Sequence, residues 1–399
     1  MVLLTRLDKD TLKNVGTCYF PKKGPGFAEE YELEEYLAQE HFTYLKQQTL
    51  RFIYKDISDV DADKILHGIK LDKSEVNIND VPAKDGVLYV QQGEIGITCP
   101  KDKSIQYIGS SDATTCHIVI IRDSDTGVSG VAHIDSMNQD HLNNFVGKIT
   151  NLVKLRCNDR KDEPNLANES QEGKGDVPIK CDKQPLELYV VGGYQDERDM
   201  SEELSMDLIK YFIHSRQHFV IRILAISKLN TIHVDGKDPH NAPILCGSAV
   251  ELSTGNVFPA NFSYRGPDET IRHLRLSFCS RKNGFVDPYN PETGELTVSS
   301  FHVNAHTENL TYYMQLPDET FLQFMSTSPK VEPPHFVENQ KKIFRTAIDN
   351  PNMYKDIFPN RCDRIWTFQK GRGWVLKRED SCKIVDQEDE ETNQICDKS

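Results

Sequence analysis

One cysteine and one histidine stand on either side of a predicted β-hairpin in residues 109–135, GSSDATTCHIVIIRDSDTGVSGVAHID. HIVIIRD is short and β-branched, DSDTG is a cluster of turn formers, and VSGVAHI is a second short run, a pattern typical of two antiparallel strands. A loop of about four residues pairs Arg122 with Gly127 and so places Cys116 directly opposite His133. Opposed side chains have Cβ atoms about 5 Å apart. The sequence therefore predicts a thiol and an imidazole that can share a proton.

Small and hydroxyl residues precede the cysteine. The run GSSDATT allows a tight turn that presents backbone N–H groups near the sulfur of Cys116, as an oxyanion hole requires. Ser110, Thr114 and Thr115 offer hydroxyl groups that can orient an imidazole. This part of the sequence is therefore suited to nucleophilic catalysis, although a buried thiol beside a histidine bonded to backbone would give the same pattern.

Two carboxylates accompany the pair. Asp135 shares a sheet face with His133, because side chains alternate along a strand, and Asp112 lies in the turn before Cys116. By the same alternation His117 points to the opposite face from Cys116, and we interpret it as structural.

Composition limits the class of protein to which such a site can belong. The chain has 399 residues and a formal net charge of −14, which disfavours nucleic acid or an anionic membrane as its main partner. The first ten residues are too polar for a signal peptide, and no run approaches transmembrane length. Ten cysteines at irregular spacings favour reduced thiols over a disulfide framework. We therefore expect a cytoplasmic protein, with the nucleus as a second possible location.

Strand-like and helical segments alternate along the chain, which indicates α/β layers. Residues 1–85 are expected to form a helical or irregular extension packed on the core, and residues 86–345 the core itself. The stripe of Leu142, Phe145 and neighbours at helical spacing predicts a helix that covers a sheet. Residues 157–184 are polar and predict a mobile inserted loop, and residues 346–399 a hairpin followed by an acidic tail.

Four segments in order, LYVQQGEIGIT, SSDATTCHIVIIRD, VGGYQDERDMSEEL and MSTSPKVEPPHFVE, resemble the protein N-terminal asparagine amidohydrolase family. A more distant similarity reaches bacterial chemoreceptor glutamine deamidases and the deamidating cytotoxic necrotizing factors. The resemblance implies an α/β fold of mixed β-sheets packed as a sandwich with flanking helices, as in cysteine hydrolases and deamidases. It implies that Cys116 is the nucleophile and His133 its base. In the bacterial deamidases the third catalytic residue is a threonine six positions before the cysteine, and the resemblance implies that Ser110, which stands at that position here, is the third catalytic residue.

The resemblance also implies a reaction. Cys116 attacks the side-chain amide of an N-terminal asparagine, backbone N–H groups of Thr115 and Cys116 hold the oxyanion, and His133 protonates the departing ammonia. Water then hydrolyses the thioester to leave N-terminal aspartate, which feeds protein turnover. No metal or organic cofactor is expected.

The substrates expected are proteins or peptides with N-terminal Asn, acted on by a monomer, with Asp112, Asp135 and Thr114 as substrate-binding residues. Asp112 and Asp135 are the candidates for binding the α-ammonium, and for each a purely structural role stays open. Two other functions also stay open: deamidation of internal Gln in proteins, and non-catalytic binding of protein N-termini.

Overall fold

The computed structural model describes residues 18–19, 43–54, 57, 76–82, 86–162, 185–279, 284–303 and 307–377. Its strands in chain order are β1 Cys18–Tyr19, β2 Asn79–Val81, β3 Val87–Tyr89, β4 Ile95–Thr98, β5 Tyr107–Ser110, β6 His117–Arg122, β7 Ser129–Ile134, β8 Leu186–Gly192, β9 Phe219–Ala225, β10 Thr231–Val234, β11 His240–Pro243, β12 Ser248–Glu251, β13 Asn256–Phe262, β14 Tyr289–Asn290, β15 Glu295–Val298, β16 Arg364–Gln369 and β17 Gly373–Leu376.

The described residues also form eight α-helices: α1 Thr43–Ile53, α2 Gln139–Asp162, α3 Met200–His214, α4 Glu269–Phe278, α5 Thr307–Gln315, α6 Asp318–Met325, α7 Phe336–Asp349 and α8 Met353–Asp356. Short 3-10 helices lie at Ser227–Asn230 and Pro359–Arg361. The mixed α/β class predicted from the sequence is confirmed. None of the helices within the described ranges is both long and apolar enough to cross a membrane.

Four sheets organise these strands. A six-stranded sheet has the order β1-β9-β8-β6-β7-β4, and a five-stranded sheet has the order β2-β13-β12-β5-β3. Strands β10 and β11 form a two-stranded sheet, and β14 to β17 form a four-stranded sheet in chain order. The last of these contains β16 and β17, the hairpin predicted near the end of the chain.

Strand β6 lies at the centre of the six-stranded sheet and is buried on both faces, because its odd-numbered and even-numbered residues pack in different cores. Val119 and Ile121 pack in the core shared with α2 and α3. Ile118 and Ile120 pack in a second core, which also contains Leu88 and other residues of the five-stranded sheet. The six-stranded sheet is therefore covered by helices on one face and meets the five-stranded sheet on the other.

Helix α2 covers the sheet through the stripe predicted from the sequence. Leu142, Phe145 and Ile149 are fully buried in the core below the helix. A Cβ atom added to Gly130 of β7 would lie 2.5 Å from Ile149 Cδ1, so the helix approaches the strand closely because residue 130 lacks a side chain.

The expectation of a polar loop from residue 157 was wrong at its beginning, because α2 continues to Asp162. Asp159 stabilises this last part of the helix by pairing with Arg156 at 3.0 Å and with Lys101 at 2.8 Å. Residues 163–184, most of residues 1–85 and the acidic tail from residue 378 lie outside the described residues.

Cysteine oxidation differs from the expectation. Cys99, Cys116, Cys246 and Cys279 are not disulfide-bonded. Cys157 and Cys362 are disulfide-bonded, so the prediction of reduced thiols was wrong at these two positions.

Candidate active site

Strands β6 and β7 form the predicted hairpin, but in a different register. Arg122 pairs with Ser129 and Ile118 with His133, so the predicted direct opposition of Cys116 and His133 is wrong. The four-residue loop begins one residue later than expected, at residues 124–127, with Asp123 N–H bonded to Val128 O at 2.9 Å.

The side chain of Asp123 accounts for this shift. Its Oδ2 accepts hydrogen bonds from Thr126 N–H at 2.7 Å and from Thr126 Oγ1 at 2.6 Å, and Gly127 supplies a left-handed φ of 74°. Because the shift is two positions, Cys116 keeps the face that it shares with His133 and becomes its diagonal neighbour.

Cys116 and His133 line one cavity of about 380 Å³. Cys116 directly precedes β6 and is half-buried, whereas His133 lies near the end of β7 and is buried. His117 lies on the other face, where its Nε2 is 2.7 Å from Ser205 Oγ of α3. The two residues proposed to react therefore share a cavity, and the histidine interpreted as structural does not line it.

Ser110 fixes the orientation of His133. Ser110 Oγ donates its single proton to Val90 O at 2.6 Å, so it accepts from His133 Nδ1–H at 2.8 Å. Nε2 of His133 then carries the lone pair, and it has no hydrogen-bond partner among the described residues. Burial lowers the pKa of His133 to about 4, so the imidazole is neutral at pH 7 and can accept a proton.

The turn between Ser110 and Cys116 has a constrained backbone. Asp112 has a left-handed φ of 62°, Ala113 N–H donates to Cys246 O at 2.9 Å, and Thr114 N–H donates to Asp112 O at 3.1 Å. These two N–H groups are therefore engaged within the protein and do not point to an oxyanion.

Gly192 and Gly193 lie directly behind this turn. A Cβ atom added to Gly192 would lie 2.5 Å from Cys116 O, and one added to Gly193 would lie 2.5 Å from the His117 ring. Both glycines have positive φ, at 114° and 63°. The GG of the segment VGGYQDERDMSEEL is therefore needed for β8 to end against the cysteine.

Hydroxyl groups connect the turn to residues 326–328. Thr115 Oγ1 lies 3.2 Å from Thr327 Oγ1, and Ser328 Oγ lies 3.2 Å from Thr114 Oγ1. Of the three hydroxyls considered for orienting the imidazole, Ser110 is thus the one bonded to it, and Thr114 and Thr115 contact the segment MSTSPKVEPPHFVE instead.

The two predicted carboxylates differ in position. Asp112 lines the cavity, where it forms an ion pair with Arg265 and lies 3.0 Å from His335 Nε2. Asp135 does not line it and accepts hydrogen bonds from Gln92 Nε2 at 2.9 Å and from Ser136.

Several cavity residues were not identified from the sequence: Arg265, Glu269, His273, Glu332 and His335. Glu332 and His335 lie in the segment MSTSPKVEPPHFVE. The resemblance of this segment to the amidohydrolase family was the available indication in the sequence that the two residues belong to the site. Burial lowers the pKa of His273 to about 4, so the cavity contains a second neutral imidazole.

Comparison with known proteins adds independent evidence. A family model described as "Protein N-terminal asparagine amidohydrolase" matches residues 78–162 and 173–376. Proteins of that name from Sus scrofa and Homo sapiens are each 29% identical to the chain, over 69% and 68% of its length and 78% of theirs. The Arabidopsis thaliana protein of that name is 28% identical over 75% of this chain and 82% of its own.

The family model spans more than half of the chain and includes every cavity residue named above. The chain therefore belongs to the protein N-terminal asparagine amidohydrolase family and is an amidohydrolase enzyme.

Proposed function

We propose that the chain hydrolyses the side-chain amide of N-terminal asparagine in proteins or peptides, giving N-terminal aspartate and ammonia. The observation that supports this most is that Cys116 and His133 share one cavity, with the lone pair of His133 left on Nε2 by the bond to Ser110. The names of the relatives supply the substrate.

The first half of the reaction forms a thioester. His133 Nε2 accepts the thiol proton as Cys116 Sγ attacks the amide carbon, and the oxyanion is held by the N–H groups of Thr115 and Cys116. The C–N bond then breaks, His133 returns the proton to the nitrogen, and ammonia leaves. Because burial keeps His133 neutral at rest, its Nε2 is able to accept the thiol proton.

The second half hydrolyses the thioester. His133 accepts a proton from water, the resulting oxygen nucleophile attacks the thioester carbon, and the C–S bond breaks as the thiol of Cys116 takes up a proton. The product carries a carboxylic acid in place of the amide. None of these steps requires a cofactor.

We place this chemistry in residues 86–345, on a sandwich of the cysteine-hydrolase and deamidase type, with residues 1–85 and 346–399 as additions to it. We also propose that the enzyme acts in the cytoplasm, and in the nucleus as well, as a monomer supplying substrates to N-terminal degradation. The described packing of the six-stranded sheet between helices and the five-stranded sheet supports the sandwich.

Selectivity for an N-terminal residue requires a group that binds the α-ammonium close to Cys116, for which a carboxylate is suited. Asp112 is already paired with Arg265, and Asp135 lies outside the cavity lining. The geometry favours Glu332, which lines the cavity and accepts hydrogen bonds from Ser326 Oγ at 2.5 Å and from Ser328 Oγ at 3.2 Å.

The electrostatics of Glu332 suit a cationic ligand. Within the described ranges no Lys, Arg or His forms an ion pair with it, and burial raises the pKa of its carboxyl group. A buried carboxylate bonded only to hydroxyls gains from a cation, because the cation offsets the desolvation of the charged form. We therefore assign the α-ammonium to Glu332 in place of the two aspartates.

A panel of short peptides that begin with Asn, Gln or Asp tests the reaction. The Asn-first peptide is expected to release ammonia and gain the mass of an amide-to-acid conversion, and the Asp-first peptide is expected not to react. A methylene in a pocket is worth about 1 to 3 kcal/mol, so Gln-first peptides are expected to react at least tenfold more slowly. Ammonia release from internal Gln would support the alternative deamidase. Binding of the peptides without turnover would support a protein that binds N-termini without catalysis.

Glu332→Gln tests whether Glu332 binds the α-ammonium of the substrate. This variant is expected to lower kcat/KM by about 10- to 100-fold for an Asn-first peptide with a free amine and barely at all for its acetylated form, because only the former has a charge to pair. The measurement is the ratio of kcat/KM between the two peptides. Glu269→Gln, a carboxylate of the same cavity that lies 3.7 Å from Arg265, is the control expected to keep the wild-type ratio. An unchanged ratio in Glu332→Gln would remove Glu332 from this role.

A further inference from the structure

The turn between β3 and β4, residues 90–94, is built on one buried ion pair. Arg272 of α4 pairs with Glu94 through both carboxylate oxygens, with Nε donating to Oε1 at 3.0 Å and Nη2 to Oε2. Their side chains are 2% and 1% exposed. Burying two charges is costly even when they are paired, so the net stability gained from this pair is small, and the geometry that it imposes on the main chain is its more informative feature.

The turn holds the main chain of His133 at two points. Gly93 N–H donates to His133 O at 2.9 Å, and His133 N–H donates to Glu94 O at 3.2 Å. The Glu94 carboxylate fixes the turn itself, since Gln91 N–H donates to its Oε2 at 2.9 Å. The position of His133 therefore depends on the conformation of residues 91–94.

The same turn carries the acceptor that sets the tautomer of His133. Ser110 donates to Val90 O, and the preceding carbonyl, Tyr89 O, accepts from Arg272 Nη2 at 2.8 Å. If Val90 O moved away, the Ser110 proton would be free to bond to Nδ1, which would transfer the imidazole proton to Nε2 and remove the base.

We propose that the Glu94–Arg272 ion pair positions His133 and sets its tautomer, by holding the main chain of residues 89–94 against both His133 and Ser110. This role rests on the proposed function. Neither residue lines the cavity, so both are positioning residues rather than catalytic ones. The segment LYVQQGEIGIT, which contains the turn, thereby acquires a role in the reaction.

Arg272→Lys tests the proposal while keeping both charges. The planar guanidinium of Arg272 binds both carboxylate oxygens of Glu94 and Tyr89 O at once, and the single ammonium of a lysine cannot reproduce that geometry. The variant is expected to fold, to lose kcat about 10- to 100-fold with KM within about threefold of wild type, and to alkylate Cys116 more slowly with iodoacetamide at pH 7. Water reaching His133 should raise its pKa from about 4 towards its ordinary value, and so move the acidic limb of kcat/KM to higher pH.

Arg222→Lys is the matched control. Arg222 of β9 also binds a glutamate through two nitrogens, with Nε at 3.1 Å and Nη2 at 2.8 Å from Oε1 of Glu187, and neither residue lines the cavity. This variant is expected to keep the wild-type kcat, alkylation rate and acidic limb, whatever it does to Tm. Glu94→Asp, which keeps the charge on a shorter side chain, is the second test and should reproduce the effects of Arg272→Lys.

Three results would overturn the proposal: wild-type kcat in both test variants, a rise in KM alone, or failure of both to fold, which would make the pair an anchor of the fold only. Alkylation of Cys116 needs no substrate. Its expected slowing therefore separates this proposal from the proposed function, which fails instead if the wild-type enzyme leaves Asn-first peptides unchanged.

Discussion

Cys116→Ala is expected to abolish turnover of an Asn-first peptide, with a loss in kcat of more than about 10⁴-fold, because removing the nucleophile removes the covalent route. The fold should be kept, since Cys116 is half-buried at the wall of a cavity and the change deletes one sulfur atom. Ammonia release and the mass of the peptide measure the reaction, and a thermal unfolding scan measures the fold.

Cys279→Ala is the control for this variant. Cys279 is another half-buried thiol, but it does not line the cavity, so its loss is expected to leave kcat near the wild-type value. Full activity in Cys116→Ala would disprove the thioester mechanism. An equal loss in both variants would show that cysteine removal acts through the fold rather than through the chemistry.

Local pattern in the sequence was sufficient for much of the scaffold. Two short runs on either side of a cluster of turn formers predicted β6 and β7, and the helical stripe of Leu142 and Phe145 predicted the face of α2 that is buried. Alternation also separated Cys116 from His117, since the face of a strand depends only on parity. These features depend on residues close together in the chain.

The register of the hairpin could not be obtained in the same way. Loop length alone fits several pairings, and the choice is made by Asp123, whose carboxylate binds Thr126 and moves the loop by one residue. The shift changed an opposed pair into a diagonal one. Side-chain hydrogen bonds inside a turn therefore decide distances that strand patterns leave open.

The charged residues of the cavity wall could not be predicted from neighbouring positions in the sequence, for a different reason. Arg265 and His335 reach Asp112 from 153 and 223 positions away, so their proximity is a property of the fold. Asp135 was predicted from the sheet face that it shares with His133, and Asp112 from its place in the turn before Cys116, both of which are local features of the sequence. Glu332 is close to Thr114 only because the residues that follow α6 pack on the turn.

His133→Ala is expected to lower kcat by about a hundredfold to ten-thousandfold, the usual contribution of a general acid and base. Since His133 is 3% exposed, alanine would also leave a void, and a loss of activity could then reflect a disturbed fold. His133→Asn separates the two effects, because its amide can still donate to Ser110 Oγ but offers no base. Both variants are expected to lose activity to a similar degree.

Alkylation of Cys116 by iodoacetamide identifies the cause of that loss. Under the proposed mechanism the neutral His133 accepts the thiol proton of Cys116 at pH 7, so both variants should alkylate more slowly. His117→Asn removes a buried imidazole from the opposite face of the same strand pair and is expected to leave the rate unchanged. Wild-type alkylation in the His133 variants would mean that the two side chains do not exchange a proton, and the base would then have to be sought elsewhere in the cavity, with His273 the first residue to test.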